Sequence, residues 1–118
     1  MLEKVELLMW GVKNMNKYVF AYYGEPQFKS PEEGKKHMTE WGAWMKTLGK
    51  SMTDPGVPLK ATKTVSSKGV KDGGGSNRLT GYSVVEADSI EDAVEMAKTC
   101  PHLNYGTIDV GEVMEMKM

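Results

Sequence analysis

The chain has 118 residues, 40% of them apolar, and its 15 basic and 16 acidic side chains leave a formal charge of −1. That length suits one domain with a core of its own, and the charge balance excludes the basic stripe that a nucleic-acid binder needs. No apolar run approaches the ~20 residues that cross a bilayer, and the single cysteine excludes an internal disulfide, so a cytoplasmic protein without membrane or nucleic-acid partners is expected.

Residues 1–14 place Val5, Leu8, Met9 and Val12 at helical spacing, although a helix this short needs a surface to dock on. A domain start at Met15 would instead make 1–15 a frayed or optional extension, and both readings stay open, with the folded domain over 16–118. Glu3 and Glu6, with no small-residue cleavage site nearby, speak against a signal peptide.

Lys17 to Tyr23 (KYVFAYY) is dense in β-branched and aromatic residues and predicts a strand, stopped by Gly24-Glu25-Pro26. Ser30-Pro31-Glu32-Glu33 then opens a helix, with Ser30 as N-cap and Glu33 closing a capping box. The helix should reach Leu48, with Met38, Trp41, Trp44, Met45, Leu48 and Met52 on its apolar stripe. Thr53 to Gly56 predicts a turn, Leu59 to Ser66 a strand, and the Gly- and Ser-rich stretch from Ser67 to Asn77 a mobile loop. Leu79 to Ala87 is a further strand, and Ser89 caps a second helix that Pro101 ends. Tyr105 to Met116 closes the chain as a strand, with a bulge expected at Gly111.

The resulting order, β-α-β-β-α-β, predicts an α+β fold of the ferredoxin-like kind: a four-stranded antiparallel sheet with two helices on one face. The other face would expose more apolar surface than a lone monomer carries, so a homodimer with sheet packed on sheet is expected.

Two segments carry a family resemblance. The helix signature S-P-E-E-x-x-x-H-M-x-x-W-G-x-W-M and the C-P-H-L-x-x-G-T-I-x-V ending, in that order and spacing, resemble the YCII-related (YciI-like) family in its DGPF-containing branch, over roughly residues 16 to 115. The resemblance implies a dimeric α/β barrel with a small pocket between the sheet and the first helix. In short members of that family a His–Asp pair is the proposed acid–base machinery, and a distant relative resembles a dehalogenating enzyme of chlorinated hydroxyquinone breakdown. His37 matches the helix histidine, while Cys100 stands where the family's second dyad member falls. The D-G-P-F-A-E loop is reduced to Asp72-Gly73-Gly74-Gly75-Ser76-Asn77, which keeps only its Asp-Gly.

His37 lies four residues before Trp41 and seven before Trp44, on one side of the helix, where lost hydration should favour its neutral form. It is the candidate catalytic acid–base; the structural alternative is a core histidine. Trp41, Tyr22, Tyr82 and His102 are candidate ligand-binding residues, and core aromatics or a rim histidine are the plainer readings. Cys100, at a helix C-terminus, faces the negative end of the dipole and is better read as a buried hydrophobe than as a nucleophile. Cys100, His102 and Asp72 have no recognised ligand spacing, and Gly73 to Gly75 lack the Gly-Lys-Ser/Thr of a phosphate loop. No metal or cofactor is expected. The sequence leaves two readings: a small aromatic-binding protein with acid–base chemistry at His37, or a non-catalytic sensing or interaction module of the same fold.

Overall fold

The computed structural model describes residues 16–114. The expected N-terminal helix or extension over 1–15 lies outside the described residues, as does the tail of the last predicted strand. The chain folds as α+β: a four-stranded antiparallel sheet, two helices and a separate two-stranded hairpin. Its elements are β1 (Asn16–Tyr23), α1 (Pro31–Leu48), β2 (Met52–Asp54), β3 (Lys63–Ser66), β4 (Gly69–Asp72), β5 (Leu79–Ala87), α2 (Ile90–Lys98) and β6 (Thr107–Glu112). The main sheet runs β2-β5-β1-β6, an order compatible with the ferredoxin-like arrangement. No helix among the described residues is long and apolar enough to cross a membrane.

Alternation along β1 decides where the helices sit. Tyr18, Phe20 and Tyr22 are buried, whereas Val19, Ala21 and Tyr23 between them are half-buried. Pairing of Phe20 with Ser83 and Tyr18 with Val85 puts those β5 residues on the buried face. Trp44 from α1 and Ala93 and Ala97 from α2 complete the same cluster, so both helices cover one face. Among the described residues no helix covers the other.

Each helix starts as its sequence dictates. Ser30 Oγ accepts from Glu33 N at 3.2 Å with Pro31 in the first turn, and Ser89 Oγ accepts from Asp92 N at 3.1 Å. The Glu33 carboxylate departs from the standard box by accepting from Lys29 N at 3.1 Å, one residue before the cap. Trp44 Nε1 donates to the Met96 carbonyl at 3.2 Å and Thr99 Oγ1 at 3.0 Å, pinning α1 to the end of α2. The stripe of α1 is rotated from expectation. His37 is buried with Trp44, while Met38 is 69% exposed.

Three expectations need correction. The strand after α1 is Met52–Asp54, running from the expected helix stripe into the predicted turn, and Met52 packs on the core and pairs with Val85. The chain stays beside β5 through a Pro58–Gly81 bridge and the 2.9 Å bond from Leu59 N to Thr80 O. The predicted strand over 59–66 therefore gives the sheet only its first residue; its end, β3, turns back at Ser67-Lys68 to pair with β4. Four residues of the expected mobile loop, Gly69–Asp72, are thus strand, with Val70 opposite Val65 of β3. Lastly, Gly111 pairs with Val19 in unbroken register, and the irregularity falls between Tyr22 and Tyr23 against β5.

Candidate functional site

At one end of the sheet a cavity of about 360 Å³ opens between α1, β1, β5 and the segment that follows β2. Tyr22 and Gly81 come from the buried face of the sheet, and His37, Trp41 and Met45 descend from α1. Pro55, Gly56, Val57 and Pro58 form the outer wall, and His102 comes from the turn after α2. Among the described residues no Asp, Glu, Lys or Arg lines it.

Gly56 makes that wall possible. Its φ is +73°, and a Cβ there would lie 1.7 Å from the Tyr82 carbonyl oxygen, so only glycine fits. A buried relay holds the wall from within: Tyr22 OH donates to Ser83 Oγ at 2.8 Å, and Ser83 Oγ donates to the Pro55 carbonyl at 2.9 Å. Burial pushes the Tyr22 hydroxyl far above the ordinary tyrosine range, with the Ser83 bond pulling weakly the other way.

His37 is 7% exposed and sits among aromatic rings. Tyr105 lies at 5.0 Å between centroids, Phe28 at 5.3 Å and Trp41 at 6.1 Å. Trp41 Nε1 donates to His37 Nε2 at 2.8 Å. An indole nitrogen only donates, so Nε2 must present its lone pair and the neutral ring carries its proton on Nδ1. That Nδ1 is buried without a conventional partner, inside the aromatic shell. Burial lowers the His37 pKa from 6.5; Glu40, on the same helix, pulls it up less strongly, and His102 adds a small downward push.

His102 is buried, at 3% exposure, where the sequence suggested a surface or rim histidine. Its ring packs tilted against Tyr22, 5.3 Å between centroids, and Nε2 bonds the Tyr23 carbonyl at 2.8 Å. A carbonyl only accepts, so Nε2 bears a proton, and in the neutral ring Nδ1 keeps the lone pair. Gly106 permits this close approach of the turn, since a Cβ there would lie 1.9 Å from the Tyr23 oxygen.

Of the candidate residues, His37, Trp41, Tyr22, Tyr82 and His102 all border this one cavity. Tyr82 does so from the rim: strand parity sets it opposite Gly81 and Ser83, and it is 38% exposed. Cys100 is buried, and burial pushes its thiol up to about 11, against a smaller opposing effect of the His102 backbone N–H. Among the described residues no three of His, Cys, Asp and Glu gather as a metal-binding group. Sequence reasoning missed Phe28, Tyr105 and the Pro55–Pro58 wall. Phe28 follows a proline turn with no periodicity to flag it, while the close-packed prolines and glycine of the wall looked like an ordinary turn.

Comparison of the chain with family models and with curated proteins gives no match.

Proposed function

We propose that the protein binds a small, flat, uncharged molecule in the cavity beneath α1. The observation that carries this reading is the lining itself: aromatic, aliphatic and proline side chains, no formally charged residue, and two buried histidines. Its volume of about 360 Å³ suits a molecule of one or two fused rings. An ionic ligand would lose its hydration there with no counter-charge to replace it.

The same reading assigns the chain to the YciI-like family and its two-fold α/β barrel. In support stand the sheet order and a cavity between the sheet and the helix bearing His37. Acid–base catalysis at His37 is one form of this function. The rival form, ligand sensing without turnover, is favoured by one contact: Trp41 already occupies the His37 lone pair. A histidine whose lone pair is taken cannot accept a substrate proton until that bond opens.

Titration of the 15N-labelled protein with 2-naphthol tests the binding reading. Amide shifts should concentrate at Tyr22, Trp41, Met45, Val57 and Gly81. Shifts scattered over the surface, or none at millimolar probe, would overturn it.

A further inference from the structure

We propose that His102, through Nδ1, is the acceptor that receives an O–H or N–H of the molecule held in the cavity. This rests on the cavity being a ligand site and adds which residue reads the ligand and what group it reads. The two buried histidines differ in what they can still offer. His37 has its Nε2 lone pair filled by the Trp41 indole at 2.8 Å and its Nδ1 sealed among rings. His102 is fixed by the Tyr23 carbonyl at 2.8 Å as the Nε2–H tautomer, which leaves a lone pair on Nδ1. Among the described residues no group donates to that nitrogen. Nor does it count among the fully sealed, unpartnered atoms, where His37 Nδ1 stands alone. His102 is 97% buried and borders the cavity, so the cavity is where a donor can reach it.

The other polar side chains of the wall are committed elsewhere or, like Tyr82 at 38% exposure, stand at its rim in reach of water. Tyr22 bonds Ser83, and Thr80 Oγ1 shares its one proton between the carbonyls of Tyr22 and Gly24. An unfilled acceptor in an apolar cavity selects for a neutral planar molecule with one donor, such as a phenol, an enol or a ring N–H.

The test compares 2-naphthol with 2-methoxynaphthalene, which keeps the ring and the oxygen but has no O–H. Nitrogen-15 spectra should show His102 Nδ1 unprotonated in the free protein at pH 7.5 and moved by 2-naphthol but not by the ether. The naphthol should bind about tenfold more tightly than the ether, and His102→Phe should erase that preference while keeping affinity for the ether. Equal binding of both probes to the wild-type protein would overturn the role of His102 and leave the cavity as a ligand site. A proton on Nδ1 of the free protein would overturn it equally, and that spectrum needs no variant to fold. Binding of neither probe would overturn the ligand-site reading together with this one.

Discussion

A proton added to His37 Nε2 would meet the Trp41 indole N–H head-on, so charging the ring requires breaking a 2.8 Å hydrogen bond as well as desolvating a cation. Both effects act in one direction, and the titration of His37 belongs below 6.5. In the unfolded chain the ring titrates normally. As the pH falls below about 6.5 the unfolded state therefore takes up a proton before the folded state does, and stability is lost; above that value His37 contributes no pH dependence. The urea midpoint should fall between pH 7.5 and pH 5.5, and fall less in His37→Phe. An equal fall in both proteins would show that His37 is not the group responsible. Trp41→Phe removes the competing donor while keeping an aromatic ring, and its His37 should titrate higher than in the wild-type protein by NMR. At this scale the sequence was informative about placement but silent about direction. The spacing of His37, Trp41 and Trp44 marks one helix face, yet no spacing announces that an indole four residues on will fill the imidazole's lone pair. Nor does the Cys-Pro-His-Leu segment announce that His102 turns inward. That follows from the Tyr23 carbonyl, distant in sequence, and from a glycine at 106 that lets the turn approach it.

Helix α1 is anchored at its far end by Trp44, with Met45 and Leu48 packing on the core beside it. Trp44 is 5% exposed, packs at 6.3 Å from Phe20 and carries two hydrogen bonds into the last turn of α2. Trp44→Ala should cost about 3–5 kcal/mol in denaturant unfolding, a loss dominated by the cavity left behind. Thr99→Val, which spares the ring and removes one acceptor, should cost about 1 kcal/mol. The hairpin β3–β4 depends on a different anchor. All eight of its strand residues are exposed, and an isolated two-stranded hairpin is marginal in water. Arg78 supplies the anchor by donating from one guanidinium nitrogen to the Leu59 carbonyl at 3.0 Å and Thr62 Oγ1 at 3.3 Å, while another reaches Glu25 at 2.6 Å. Arg78→Ala should accelerate amide exchange at Gly73, whose N–H bonds the Thr62 carbonyl, and leave β1 and β5 protected. Unchanged exchange at Gly73 would show that the hairpin stands without the arginine. Elements with a strong local signature were legible: both N-caps, and both long strands with their aromatic or β-branched alternation. The short edge strand β2 was not, because three residues carry no period and its place is fixed by Met52 packing on the core. The β3–β4 pairing was hidden for a related reason, since Val70 alone marks β4 among lysine and glycine.

Across the whole molecule the two faces of the sheet differ in kind. The helix face carries the core, whereas the centre of the opposite face presents Val19 directly across from Val84, with Ala21 and Tyr82 beside them. These residues are half-buried by their strand neighbours, apart from the more exposed Tyr82, and Asp109, Glu86 and Lys17 stand around them as a polar rim. An apolar centre with a charged rim is the layout of an interface. Packing two such faces about a two-fold axis would bring Val19 and Val84 of one protomer against the same residues of its partner. The expected outcome is a particle of twice the 13.1 kDa chain mass in sedimentation at micromolar concentration. Val84→Glu discriminates between this assembly and a monomer that leaves the face in water. In the dimer the new carboxylate would be buried without a partner, a penalty large enough to dissociate the assembly and return the mass to 13.1 kDa. In a monomer the mass would stay at 13.1 kDa, and the unfolding midpoint would drop only by the lost contact of a half-buried valine with Val19. The cavity supplies a further check, because it lies between the sheet and α1 and shares with the open face only the rim residue Tyr82 among those named. A dissociated Val84→Glu protein should therefore still bind 2-naphthol, whereas loss of binding on dissociation would mean that the partner protomer completes the site.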